Sequence, residues 1–164
     1  MNKIALILLF LLVGCQTFDS GSAKEPTEQA QQPPTEVHAS VDAKDGFSIQ
    51  ASVPEQVQVN TAVTMEAKLT NASGQSVEIA TGEPVFYYII EDEAGHSNPI
   101  TRNDIAMMRP LAEDGAISEQ YSYNFKTPGV YTVVAVAEFT RYEADGSPIN
   151  YKLETEPTKV EVLQ

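Results

Sequence analysis

The chain has 164 residues, and its 23 acidic side chains outnumber its 10 basic ones to give a formal net charge of −13. That length suits one domain with room for a core, and 42% hydrophobic content is enough to fill it. The acidic excess argues against nucleic acid, because no face is left to neutralise phosphates, and one Cys with two His excludes a disulfide framework and a cysteine-based zinc site.

At the N-terminus, Met1-Asn2-Lys3 supplies a short positive segment, and residues 4–13 form a ten-residue apolar run. A membrane-spanning helix needs about 20 such residues, so the run suits a secretory signal instead. It ends in Leu12-Val13-Gly14-Cys15. These four residues resemble the lipobox of bacterial lipoproteins. The resemblance implies cleavage between Gly14 and Cys15, acylation of Cys15, and anchoring of the mature chain on the extracytoplasmic face of the cell membrane. Residues 1–14 are then the signal peptide. Two or three acyl chains hold firmly, since each buried CH₂ contributes about 0.8 kcal/mol.

Residues 15–45 are rich in Gln, Glu, Ser, Thr and Pro, with Phe18 the only aromatic. Such a composition cannot bury enough apolar surface to offset its ordering entropy. Pro26, Pro33 and Pro34 favour extended structure, and the segment reads as a disordered stalk of up to about 90 Å.

From residue 46 onward the pattern changes to period two. Phe47, Ile49, Ala51 and Val53 alternate with polar residues, as do Val63, Met65, Ala67 and Leu69, then Val77 and Ile79, then Ile117, Tyr121, Tyr123 and Phe125. Each run is a strand with one buried and one wet face. Residues 85–90 (VFYYII) are continuously apolar, residues 131–139 (YTVVAVAEF) are similar, and both suit central strands. Residues 151–155 and 158–163 form a last strand interrupted by Pro157. Turn signals at 71–74, 93–95, 113–115, 128–129 and 145–148 separate the runs. One short helical turn is expected at 103–109, stopped by Pro110. The sum is an all-β, antiparallel sandwich of seven to eight strands over residues 46–164.

Two motifs carry a resemblance to bacterial immunoglobulin-like domains. Lys126-Thr127-Pro128-Gly129-Val130-Tyr131 resembles their entry to the penultimate strand, and Leu69-Thr70-Asn71-Ala72-Ser73-Gly74 matches one of their turns. The resemblance implies that Tyr131 closes a tyrosine corner. It extends to immunoglobulin-like domains of Bacillus-type envelope lipoproteins and, more loosely, to the BsuPI intracellular proteinase inhibitor family. These motifs specify turns rather than chemistry.

Catalytic and metal chemistry find no constellation. His38 lies in the stalk and His96 in a turn, and no Gly-x-Ser-x-Gly elbow occurs, so the chain is expected not to be an enzyme. Gly46, Gly95 and Gly146 all fail the register of a calcium loop. Met107 and Met108 stand near His96, but adjacent strand residues face opposite ways. Met65 and at least one of that pair are expected in the core. No cofactor and no metal are expected.

The segment 97–109 is long for a sandwich connection and gathers two of the domain's seven basic residues. Asn98, Arg102, Asn103, Asp104 and Arg109 are its candidate binding residues. Its structural alternative is a bridge between sheets that buries Ile105 and a Met. The loop 143–150 ranks second. The expected function is non-catalytic binding of an unidentified envelope protein or polymer by a membrane-anchored domain. The alternatives are a proteinase-inhibitor-like module acting through the 97–109 loop and a carrier of copper or calcium.

Overall fold

The computed structural model describes residues 36–40, 44–97 and 102–164. The expected signal peptide, Cys15, Asn98 and most of the expected stalk lie outside them. Ten strands form two sheets: β1 (Glu36–Ser40), β2 (Phe47–Pro54), β3 (Gln56–Gln58), β4 (Ala62–Asn71), β5 (Val77–Asp92), β6 (Asn103–Leu111), β7 (Ala116–Asn124), β8 (Gly129–Tyr142), β9 (Pro148–Glu154) and β10 (Thr158–Leu163). The smaller sheet has the order β1-β2-β4-β7. The larger has six strands in the order β3-β10-β8-β5-β6, with β9 also on β8.

Strand β2, between β1 and β4, gives way at Pro54-Glu55 to β3, which pairs in parallel with β10 in the opposite sheet. All other pairings are antiparallel. The set β2-β4-β7 facing β10-β8-β5-β6 is the strand order of an immunoglobulin-like sandwich. The chain is therefore all-β and immunoglobulin-like.

Period-two burial builds the core. Along β4, Val63, Met65, Ala67 and Leu69 are buried while their polar neighbours face water. Two aromatic groups occupy the core. Phe47 lies edge-on to Phe139 and Tyr151, each with ring centroids 5.2 Å apart. A second group runs from Tyr88 through Tyr121, Tyr123 and Phe125 to Tyr131, with successive centroids 4.8–6.3 Å apart. Such pairs contribute about 0.5–1.5 kcal/mol each beyond their burial.

Two turns show why the motifs have their residues. Asn71 is buried, and its Nδ2 donates to the carbonyls of Gln75, Leu111 and Ala112. Its Oδ1 accepts from Ser73 N and Ser73 Oγ. One side chain thus ties the turn after β4 to the end of β6. Gly46 sits against this turn at φ +82°, and a Cβ there would lie 2.5 Å from Ser73 Cα. At the other turn, the Tyr131 hydroxyl donates to the Thr127 carbonyl at 3.0 Å, the geometry of a tyrosine corner.

The interrupted last strand is β9 plus β10. At the break, the buried Thr155 accepts from Ala135 N through Oγ1 and donates its own N–H to Ala135 O, both at 3.0 Å. The side chain fills the ladder position that the break would leave empty.

Three expectations need correction. Five residues inside the expected stalk, Glu36–Ser40, pair with β2 in register Glu36↔Pro54 to Ser40↔Gln50. Residues 103–109 are strand, not a helical turn. Neither Met107 nor Met108 joins Met65 in the core: they are 44% and 48% exposed, and Ile105 is 68% exposed. The common reason is edge pairing. An isolated helical turn satisfies few backbone groups and is marginal, whereas β5 pairs with β6 at six positions from Val77↔Leu111 to Glu83↔Asn103. As the last strand of its sheet, β6 leaves these side chains uncovered.

Candidate functional site: a groove on the outer face of the larger sheet

The candidate binding residues do not form one protruding loop. Ser97 bridges back to Glu91, and from Asn103 the chain is strand β6. Asn98 lies outside the described residues, and of Asp104 only the backbone is described. The Asn103 Oδ1 accepts the Ile105 N–H at 3.1 Å and shapes the strand start. Arg109 is tied to β5: its Nε donates to Thr81 Oγ1 at 2.9 Å and its Nη2 pairs with Glu83. Arg109 therefore clamps β6 onto β5.

Arg102 stands apart, because it belongs to a cluster on the outer face. Its guanidinium lies over the Tyr87 ring, 5.0 Å from the centroid. Its Nη2 donates to Glu138 Oε2 at 2.8 Å. The Tyr87 hydroxyl donates to Glu138 Oε1 at 2.9 Å. Burial, then the Glu138 hydrogen bond, raises the Tyr87 hydroxyl above its ordinary pKa. The stem of Arg102 rests on Gly82, where a Cβ would come within 3.3 Å of its Cδ and 3.2 Å of its Nε. Glycine at 82 makes room for this cluster.

Beside it runs an open groove of about 580 Å³. The strand alternation explains its shape. Glu138, Thr140 and Tyr142 alternate with core residues along β8, and Asn150 and Lys152 do so along β9. They meet across the two strands in the pairs Glu138↔Lys152, Thr140↔Asn150 and Tyr142↔Pro148. On the β5 and β6 side the lining is small: Ala80, Gly82 and Ala106. Tall polar side chains on one flank and small ones on the other leave a trough. The Thr140 hydroxyl donates to Asn150 Oδ1 at 2.8 Å. Lys152 pairs with Glu154 at 2.8 Å. Tyr142 is 49% exposed.

Sequence reasoning found Arg102 and the end of the second-ranked loop, Asn150. It missed Tyr87, Glu138, Thr140, Tyr142 and Lys152. Their only signal is their parity in strands read for the core. Tyr87 in particular is hidden inside a continuous apolar run.

The other chemistry considered resolves into turn structure. Asp92 Oδ1 accepts the N–H groups of Ala94 and His96, and His96 Nδ1 lies 3.1 Å from Asp92 Oδ2. The hydrogen bond from the His96 N–H is the main cause that holds the Asp92 carboxyl below its usual pKa. This is a hairpin tip. Among the described residues no three His, Cys, Asp or Glu side chains converge as metal ligands would.

No known protein family matches the sequence, and no curated protein matches it. Solved structures do show a likeness. The CARDB domain of PF1109 from Pyrococcus furiosus is 15% identical, with 72% of this chain and 94% of that one covered, at a TM-score of 0.42. The C-terminal domain of wzt is 9% identical, with 85% and 83% covered, at 0.46. A β-glucosidase from Listeria innocua is 13% identical at 0.44, and only 16% of that enzyme is covered. These chains share a β-sandwich likeness at low identity, and the strand order and register above define the fold.

Proposed function

We propose that this is a lipid-anchored extracytoplasmic lipoprotein whose immunoglobulin-like domain binds an envelope protein or polymer without catalysis. The anchor rests on the Leu12-Val13-Gly14-Cys15 motif behind a short apolar run. The observation that carries the binding role is the outer-face groove beside the Arg102–Glu138–Tyr87 cluster. Open, mixed polar and apolar clefts of this size are ordinary ligand sites. Three groups that lock one another in place lose little further freedom on binding. An arginine, a carboxylate and a tyrosine hydroxyl tied to one another suit recognition rather than reaction.

Labelling of the full chain with radioactive palmitate in a bacterial host tests the anchor. The wild-type chain is expected to label and fractionate with membranes, and Cys15→Ala to lose both properties. A Cys15→Ala chain that still labels overturns the lipoprotein reading.

A further inference from the structure

The groove has features that narrow its occupant, and we infer that it takes a segment of an uncharged polysaccharide. The inference rests on the binding reading above and deepens it. Three features carry it.

The first is charge. Arg102 is matched by Glu138 within the site, and Lys152 by Glu154 at its margin. A site for a polyanion would instead present cations in excess, and this chain carries a net charge of −13. A neutral ligand meets no such field.

The second is the type of polar group. Thr140, Asn150, Glu138 and Arg102 bring a hydroxyl, an amide, a carboxylate and a guanidinium to one surface. Together they offer donors and acceptors in forks, which suits adjacent hydroxyls on a ring. The Thr140 bond to Asn150 Oδ1 orients that amide and leaves its Nδ2 as the donor for a ligand. Tyr142 adds a half-exposed aromatic surface against which the apolar face of a sugar ring can lie.

The third is what the groove lacks for a peptide. A strand added by backbone pairing needs a free edge. The groove instead lies on the face of β8 and β9, which pair with each other from Val136↔Glu154 to Tyr142↔Pro148, so an occupant there meets side chains rather than unpaired backbone. An amphipathic helix needs an apolar trough, and this one is flanked by charged and amide groups. The groove is also open to solvent.

The test is affinity electrophoresis of the detergent-extracted full chain. Separate gels contain a β-glucan, an α-glucan, a mannan or an N-acetylhexosamine polymer, with an anionic polysaccharide as comparison. The expected result is retardation in at least one neutral gel. Tyr142→Ala and Asn150→Ala should each weaken it about tenfold, at an unchanged melting temperature. Ser122→Ala on the opposite sheet should not weaken it. Retardation in the anionic gel alone overturns the inference, as does neutral retardation that survives both groove substitutions. If no neutral gel retards the chain while a photocrosslinker in place of Tyr142, in the groove's lining, captures one saturable protein, the polysaccharide is wrong and the binding reading stands. If neither is seen, both fall.

Discussion

Asn71 uses both ends of a buried amide, with three carbonyls on Nδ2 and two donors on Oδ1. Leaving such partners buried and unmet costs about 1–3 kcal/mol. Asn71→Ala should therefore lower stability by at least about 2 kcal/mol in urea unfolding, far more than a surface Asn→Ala. Tyr88 is the opposite case: its buried hydroxyl has no hydrogen-bond partner among the described residues. Tyr88→Phe is expected to be neutral or stabilising by up to about 1 kcal/mol. Burial first, then the charges of Glu119 and Glu66, push the Tyr88 hydroxyl far above the ordinary value of 10.0. The unfolded tyrosine ionises near pH 10 while the folded one keeps its proton. This contribution is fully present below pH 10 and is lost as pH rises beyond it. Melting temperature followed against pH should fall above pH 10, and Tyr88→Phe should flatten that fall. An equal fall in the variant would assign the alkaline loss to other groups. At this scale the sequence was readable where a motif serves a turn, as with Asn71 and Tyr131. It was silent where a role depends on what lies across the sheet, as with Glu119. That carboxylate accepts the Val85 and Phe86 amides beyond the end of β6 pairing, and nothing within its own strand announces this.

Among the elements, β6 separates what periodicity reveals from what it hides. Strands with one dry face, such as β2, β4 and β7, show alternation that reads directly from sequence. Ile105, Met107 and Met108 of β6 are exposed, so much of its order comes from backbone pairing, which leaves no hydrophobic pattern. The sequence of β1, EVHAS, likewise has the composition of the residues around it. The continuous apolar run in β5 announced a central strand but hid the outward Tyr87. The edge position makes a direct prediction. Ile105→Lys and Met107→Lys should each change unfolding free energy by no more than about 0.5 kcal/mol. Met65→Ala, in the buried centre of β4, should cost about 2–5 kcal/mol. Equal losses at all three positions would mean that β6 is covered. Exposed apolar residues on a free edge also invite pairing with another chain. Ile105→Lys should then reduce any concentration-dependent association seen by light scattering.

For the whole molecule, an acidic sandwich, a Pro-containing N-terminal segment and a groove with matched charges form one account. The acidic surface keeps the domain soluble and weakens its attraction to anionic lipid and wall polymer within a Debye length of about 8 Å. The fold class was legible because the core strands alternate or run apolar. The groove was not, because it depends on small residues in β5 and β6 lying beside tall ones in β8 and β9. Those strands are far apart in sequence, from Ala80 to Lys152. Placing the groove's mouth in the living cell tests the account most directly. A photocrosslinking residue replaces Tyr142 in its lining or, as comparison, Ser122 on the outer face of β7, in the full-length chain on intact cells. Saturable adducts from Tyr142 and none from Ser122 are the predicted result. Adducts from neither position, or the same adducts from both, would contradict it.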